Sequence, residues 1–317
     1  MSTRVAAVDC GTNSIRLLVA DLDPETGELR DLDRRMRIVR LGQGVDRTGR
    51  LAPEALERTF AACREYAEVI REHGVPTERI RFVATSASRD AENRDDFVRG
   101  VVAILGVEPE VISGDQEAEF SFTGATRELT GEHGLQTPYL VVDIGGGSTE
   151  FVLGDGSVRA ARSVDVGCVR MTERHLVHDG AVTDPPTPGQ VAAMTADIDA
   201  ALDEAARSVP LDEARTLVGL AGSVTTVAAL ALGLEVYDST VIHHSRVPLE
   251  QVRRISARLL AATHAERAAQ PVIHEGRVDV IAAGALVLLR VMERVGAKEV
   301  VVSEHDILDG IAWSVLS

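Results

Sequence analysis

The sequence predicts an α/β protein of two duplicated domains whose mixed sheets face a cleft between them, and three observations predict it. The stretch Val141-Val142-Asp143-Ile144-Gly145-Gly146-Gly147-Ser148-Thr149-Glu150 passes from a β-branched run through three glycines into Phe151-Val152-Leu153, the pattern of two strands joined by a glycine turn. Val8-Asp9-Cys10-Gly11-Thr12-Asn13-Ser14-Ile15-Arg16-Leu17 aligns at a constant offset with Val142 through Phe151, matching Val, Asp, Gly and Ser between apolar flanks, so the chain carries an internal repeat. Its 317 residues suffice for about two domains, expected over 1–130 and 137–304.

Each turn has the composition of a phosphate cradle. Without Cβ atoms the backbone approaches an anion closely and aims successive N–H groups at it, and Ser148 and Thr149 place hydroxyls beside them. Asp143 and Glu150 flank the second turn with carboxylates. Carboxylates belong next to a phosphate only when a hard cation lies between, and Mg²⁺ held by one or two carboxylates plus substrate oxygens is the usual arrangement. The alternative is an ordinary glycine-rich hairpin, against which the repeat supplies context.

Composition bounds the chemistry. The formal net charge of −16 opposes nucleic-acid binding and confines any anion site to a local basic patch. Lys298 is the only lysine, which excludes a P-loop, argues against a Schiff base and leaves phosphate capture to arginine. Cys10, Cys63 and Cys168 are widely spaced, as in a reduced compartment where thiols serve packing. No N-terminal apolar segment reads as a signal peptide, and the longest apolar run, Val280 to Leu289, is too short to span a bilayer. A soluble, cytoplasmic protein without a membrane partner is expected.

From the N-terminus, Arg4 to Cys10 and Ile15 to Leu22 read as the first hairpin and Glu28 to Leu41 as a third strand. Pro53 opens a helix that ends at Gly74, with Leu56, Phe60, Cys63, Ala67 and Ile70 on its apolar face. Ile80 to Ala84 returns to strand, and Ser86 or Ser88 caps a short helix carrying Arg89 and Asp90. Arg89 follows the C-terminal end of a strand, where open α/β sheets bind ligands; it either meets an anion there or pairs with Asp90 or Glu92. Pro109 to Ile112 is a strand, and Ser113 with Gln116 forms a capping box for a helix to about Leu129. Glu117 falls in the first turn of that helix, where the helix dipole alone is reason enough for a carboxylate. Gly131 to Thr137 is the expected hinge.

The second half continues with a strand over Val158 to Val166 and a helix from Gly167 to about His178, in which Arg170 reads as exposed rather than as a phosphate ligand. Thr183 to Pro188 is a rigid surface connection. The helix over Gly189 to Ser208 presents Asp197, Asp199, Asp203 and Glu204 as a solvated face. Thr216 to Ala221 is a strand that ends at Gly222-Ser223 and opens an Ala-rich helix. His243 and His244 lie in a loop without spaced carboxylates and do not read as a metal site. Arg277 to Val295 is a buried helix, Lys298 to Ser303 the last strand and Ile307 to Leu316 a terminal helix.

Paired Asp-x-Gly hairpins resemble those of the actin, hexokinase and Hsp70-like superfamily, whose domains are ribonuclease H-like. Ile144 through Glu150, together with Ile112-Ser113-Gly114-Asp115-Gln116-Glu117-Ala118, Arg40-Leu41-Gly42-Gln43-Gly44, Ala84 through Ala91 and Ala221-Gly222-Ser223, resembles the exopolyphosphatase/guanosine pentaphosphate phosphohydrolase family. The resemblance covers nearly the whole chain, as a short form without the family's C-terminal helical region. It implies actin-like domains, a terminal helix over 305–317 that packs back on the first domain, and a place in the stringent response. It also places the catalytic carboxylate at Glu117, with Gln116 where the family commonly has Glu. By the same resemblance, Asp9, Gly11, Asn13, Ser14, Arg89, Gly145, Gly146, Gly147, Ser148, Gly222 and Ser223 contact phosphate, and Asp143 and Glu150 hold Mg²⁺ or Mn²⁺. The stretch Ser303 to Gly310 departs from the family's turn at that place.

The expected reaction is metal-assisted, in-line attack of water on the terminal phosphoanhydride of inorganic polyphosphate, releasing orthophosphate. The nearest alternative applies the same chemistry to guanosine pentaphosphate. Others are an ATPase or sugar kinase with adenosine at Ala221-Gly222-Ser223, and a non-catalytic sensor that binds phosphate polyanions and signals by domain closure. A homodimer is compatible with any of them.

Overall fold

The computed structural model of the protein describes residues 2–127, 129, 135–178 and 181–316, and the chain divides into two compact units, Met1–Gly124 with Ile307–Ser317, and Ala125–Asp306. Residues 130–134, which include most of the expected hinge, lie outside the described residues.

In the first unit, β1 (Thr3–Cys10), β2 (Ser14–Asp23) and β3 (Glu28–Ile38) form an antiparallel meander. Two further strands, β4 (Ile80–Ala84) and β5 (Glu110–Val111), add in parallel on the other side of β1, giving the order β3-β2-β1-β4-β5. Within β1, residues 5–8 form an unbroken apolar run because both faces of the sheet are covered. Val5 and Ala7 enter one core with Leu18 and with Ile307, Leu308 and Ile311 of the terminal helix. Ala6, Val8 and Cys10 enter the other with Cys63, Tyr66 and Phe97. Each large side chain fully buried there contributes about 1.5–3 kcal/mol.

The helices of this unit are α1 (Val45–Thr48), α2 (Pro53–Glu72), α3 (Ser86–Asp90), α4 (Arg94–Leu105) and α5 (Gly114–Thr126). α2 is rotated from its expected face. It buries Cys63 and Ile70 as expected, together with Ala55, Thr59, Ala62, Tyr66 and Val69, while Leu56, Phe60 and Ala67 are only half-buried. Two polar residues become core members because the backbone satisfies them: Thr59 donates to the Ala55 carbonyl at 2.8 Å and the Tyr66 hydroxyl to the Ile15 carbonyl at 2.9 Å. β3 stops at Ile38 rather than Leu41, since the N–H groups of Val39 and Arg40 both turn to the Asn13 carbonyl, with Arg40 in left-handed backbone at φ 49.

The second unit repeats the pattern. β6 (Tyr139–Ile144), β7 (Thr149–Gly154) and β8 (Val158–Val164) are the antiparallel meander. α6 (Cys168–Leu176) ends earlier than expected, because β9 (Val177–His178) pairs with β10 (Ala181–Val182) in a small ribbon. α7 (Pro188–Ala206) opens with a capping box of Thr187 and Gln190. Its acids form the expected solvent-accessible face and are ion-paired there. Asp197 pairs with Arg174 and His175, Asp199 with Arg290, Asp203 with Arg294 and Glu204 with Arg162.

β11 (Thr216–Leu220) lies parallel to β6 and leads into α8 (Ala221–Ala231) and α9 (Ser239–Ile242). β12 (Arg246–Pro248), α10 (Leu249–Ala261), α11 (His264–Ala268) and α12 (Ile281–Val295) follow, and Arg277 belongs to a 3-10 turn before α12 rather than to the helix itself. β13 (Glu299–Val302) completes the sheet in the order β12-β13-β11-β6-β7-β8, and α13 (Ile307–Ser314) is the terminal helix. All three cysteines are buried and unbridged, and no helix among the described residues is long and apolar enough to cross a membrane.

Candidate active site

The two hairpins set different residues at equivalent positions. Asp9 stands opposite Arg16 on β1–β2, and Asp143 stands opposite Glu150 on β6–β7. Directly opposed residues of an antiparallel pair share one face with Cβ atoms about 4.5–5.5 Å apart. In the first unit this closes an ion pair, with Arg16 Nη2 and Nε at 2.7 and 3.0 Å from Asp9 Oδ2. In the second unit it brings together two carboxylates that are 7% and 1% exposed. Glu150 accepts from the Ser163 hydroxyl at 2.7 Å. Like charges buried side by side favour a cation or a shared proton between them. Two hard oxygen donors fit a divalent cation that completes its shell with water and phosphate oxygens. No group of three or more His, Cys, Asp or Glu among the described residues could hold a metal ion.

Between the two carboxylates runs the glycine turn. Gly145 N–H closes it on the Ser148 carbonyl at 3.1 Å, and Ser148 is buried. The N–H groups of Gly146, Gly147 and Ser148 make no intramolecular hydrogen bond among the described residues. The hydroxyl of Thr149 is not beside the turn as expected, because it donates to the Val166 carbonyl at 2.5 Å. Arg170 is not an exposed helix arginine either: its side chain is 12% exposed and its Nε donates to the Gly147 carbonyl.

In the first unit Gly11 N–H donates to the Ser14 carbonyl at 2.9 Å, and the Asn13 carbonyl is taken up by the segment after β3. Thr12 and Ser86 hydroxyls meet at 2.9 Å and tie the turn to α3. Neither Ser86 nor Ser88 caps that helix. Both lie inside it and are buried, and Thr85 at the cap position makes no side-chain cap bond. Arg89 pairs with neither Asp90 nor Glu92. Its Nη1 reaches the Ile112 carbonyl at 3.0 Å and Glu117 Oε2 at 3.2 Å. The meeting follows from topology, since β4 and β5 are adjacent parallel strands whose C-terminal ends lead into α3 and α5. Glu117 is 7% exposed in the first turn of α5, behind the expected capping box of Ser113 and Gln116.

Gly222 and Ser223 lie in the first turn of α8, which opens at Ala221, a non-glycine residue at φ 66. The Arg277 guanidinium lies against Gly222, with Nη1 at 3.4 Å from its carbonyl and 3.3 Å from Thr226 Oγ1, and a Cβ at 222 would strike it. Sequence reasoning missed Arg277, which no local motif marks. Cys168 stands at the start of α6 beside Ser223, and burial pushes its thiol up despite the Ser223 hydrogen bond, so it is not a thiolate nucleophile. His243, His244 and His305 stack with ring centroids 3.7 and 4.7 Å apart, and the Glu304 N–H donates to His243 Nδ1.

Two α/β units that repeat one strand order, each with its Asp-x-Gly hairpin, define an actin-like protein. The model of the Ppx/GppA phosphatase family matches residues 18–317, and the chain belongs to that family. It is 51% identical over 324 residues to Exopolyphosphatase 2 of Mycobacterium tuberculosis, covering 99% of this chain and 98% of that one. The crystal structure of an exopolyphosphatase-like protein, 46% identical, superposes with a TM-score of 0.92 over 98% of both chains. A guanosine-5'-triphosphate,3'-diphosphate pyrophosphatase of Aeromonas hydrophila is 28% identical over 98% of this chain, which spans 59% of that enzyme.

Proposed function

We propose that the chain is an exopolyphosphatase, a hydrolase that releases orthophosphate from the end of inorganic polyphosphate. The structural observation that carries the chemistry is the buried Asp143–Glu150 pair flanking a turn with three N–H groups that make no intramolecular hydrogen bond among the described residues. The near full-length similarity to an exopolyphosphatase supports the choice of substrate. In this role the N–H groups of Gly146, Gly147 and Ser148 hold phosphate oxygens, with Gly222 and Ser223 and the first-unit residues Asp9, Gly11, Asn13 and Ser14 as further phosphate contacts. Arg89 orients Glu117 and offers positive charge to the chain. Glu117 takes a proton from the attacking water as its oxygen bonds to the terminal phosphorus, and the P–O bond to the shortened chain breaks. A divalent cation, Mg²⁺ with Mn²⁺ as a substitute, would be held by Asp143 and Glu150 and would neutralise charge on the scissile group. Three buried, unbridged thiols suit a cytoplasmic location.

The test is orthophosphate release with Mg²⁺ from long polyphosphate, tripolyphosphate, guanosine pentaphosphate and ATP in parallel. Release from polyphosphate well above the other three is expected. Turnover of guanosine pentaphosphate alone would move the assignment to that substrate, and silence on all four would contradict hydrolysis.

A further inference from the structure

Three consecutive peptide groups of the β6–β7 turn are held by their carbonyl oxygens, and one helix holds all three. The Cys168 N–H donates to the Gly145 carbonyl at 3.0 Å, and those of Val169 and Arg170 donate to the Gly146 carbonyl at 2.9 and 3.0 Å. The third bond comes from a side chain: Arg170 Nε donates to the Gly147 carbonyl at 2.7 Å. In a planar trans peptide the C=O and the following N–H point in opposite directions. Fixing the oxygens of residues 145, 146 and 147 on α6 therefore turns the N–H groups of Gly146, Gly147 and Ser148 away from it. The helix start is pressed close enough that a Cβ on Gly167 would lie 2.5 Å from the Gly146 carbonyl carbon and 2.7 Å from the Gly147 nitrogen, so only glycine fits there.

The first unit solves the same problem differently. Thr12 and Asn13 occupy the repeat positions of Gly146 and Gly147. The Thr12 carbonyl accepts from the Gly42 N–H at 2.9 Å, and the Asn13 carbonyl accepts from the N–H groups of Val39 and Arg40 at 3.1 and 2.9 Å. Backbone holds the third carbonyl in the first unit; a guanidinium holds it in the second. Arg170 Nη2 also lies 3.7 Å from Asp165, while its Nε faces the turn.

We propose that Arg170 is a positioning residue for phosphate: by holding the Gly147 oxygen it aims the Ser148 N–H at the bound phosphate group. The inference rests on the exopolyphosphatase reading for the identity of that phosphate. It makes Arg170 the one member of the brace that substitution can remove, since the other bonds are main-chain. A residue that binds phosphate by charge alone would be replaceable by lysine, whereas one that acts through the planar Nε–H is not.

The experiment compares wild type, Arg170→Ala and Arg170→Lys in three measurements: orthophosphate release from polyphosphate, binding of the non-hydrolysed analogue imidodiphosphate with Mg²⁺ by calorimetry, and Tm. For both variants we expect a ten- to hundredfold fall in kcat, imidodiphosphate binding weakened about tenfold, and Tm within about 2 °C of wild type. Millimolar guanidinium should restore part of the activity of Arg170→Ala. Wild-type kcat and affinity in Arg170→Ala, full recovery in Arg170→Lys, or lost activity that merely follows a fall in Tm and does not respond to guanidinium would each overturn the role. A wild type that binds imidodiphosphate but releases no orthophosphate from polyphosphate would remove the exopolyphosphatase reading alone, leaving the brace to be decided by the affinities of the variants.

Discussion

The Arg89 guanidinium stands 3.2 Å from the Glu117 carboxylate and donates to the Ile112 carbonyl at 3.0 Å, which joins the end of α3 to the first turn of α5. Both side chains are largely shielded from solvent, at 25% and 10% exposure, so the pair is not an ordinary surface ion pair. Arg89→Ala is expected to lower kcat/KM at least about tenfold, with Arg89→Lys intermediate because lysine keeps the charge but not the two-acceptor geometry. Steady-state kinetics on polyphosphate check this, and an unchanged kcat/KM in Arg89→Ala would remove Arg89 from the site.

The contrast between Asp9–Arg16 and Asp143–Glu150 predicts where metal dependence resides. Asp143→Asn is expected to raise the Mg²⁺ concentration for half-maximal activity at least about tenfold, and to weaken any rise in Tm that Mg²⁺ gives the wild type. Arg16→Gln should leave the Mg²⁺ requirement alone and instead lower stability by up to about 3 kcal/mol, because it removes the guanidinium paired with the buried Asp9 carboxylate. Metal titrations of activity and of Tm separate the two. Equal shifts in metal requirement would contradict the assignment to the second unit.

Acid stability has a nameable contributor in Asp21, which Arg4 and then Arg30 hold below its ordinary value of 3.8 against the opposing effect of burial. A depressed carboxylate contributes stability above its unfolded value, and that contribution is lost as pH falls below 3.8 toward the folded value. Asp21→Asn should therefore lower Tm at pH 7 and flatten the fall in Tm between about pH 4 and 2. Thermal melts across that range check it; a variant curve parallel to wild type would contradict it.

The repeat and both Asp-x-Gly hairpins, with Asp143 and Glu150 flanking the second turn, were legible because they are local sequence patterns. The Ser113–Gln116 capping box was legible as a local i, i+3 pattern. What was not legible depends on partners distant in the chain. Arg170 and Arg277 act on backbone carbonyls 23 and 55 residues away, and nothing in their neighbourhoods marks them. The α2 face was legible only in part, at Cys63 and Ile70, because Thr59 and Tyr66 are core residues only once Ala55 and Ile15 accept their hydroxyls. The β9–β10 ribbon was overlooked although Val177-His178 and Ala181-Val182 flank Asp179-Gly180, a hairpin signal masked by the amphipathic run before it.

The measurement that bears most directly on the proposed reaction is the turnover of Glu117→Gln on long polyphosphate, set beside its affinity for imidodiphosphate and its Tm. Glutamine keeps the size and hydrogen-bonding reach of the side chain but cannot accept the proton from water. Turnover at least about a hundredfold below wild type, with affinity and Tm retained, is the predicted result. Near-wild-type turnover would contradict Glu117 as the base and, with it, the proposed mechanism.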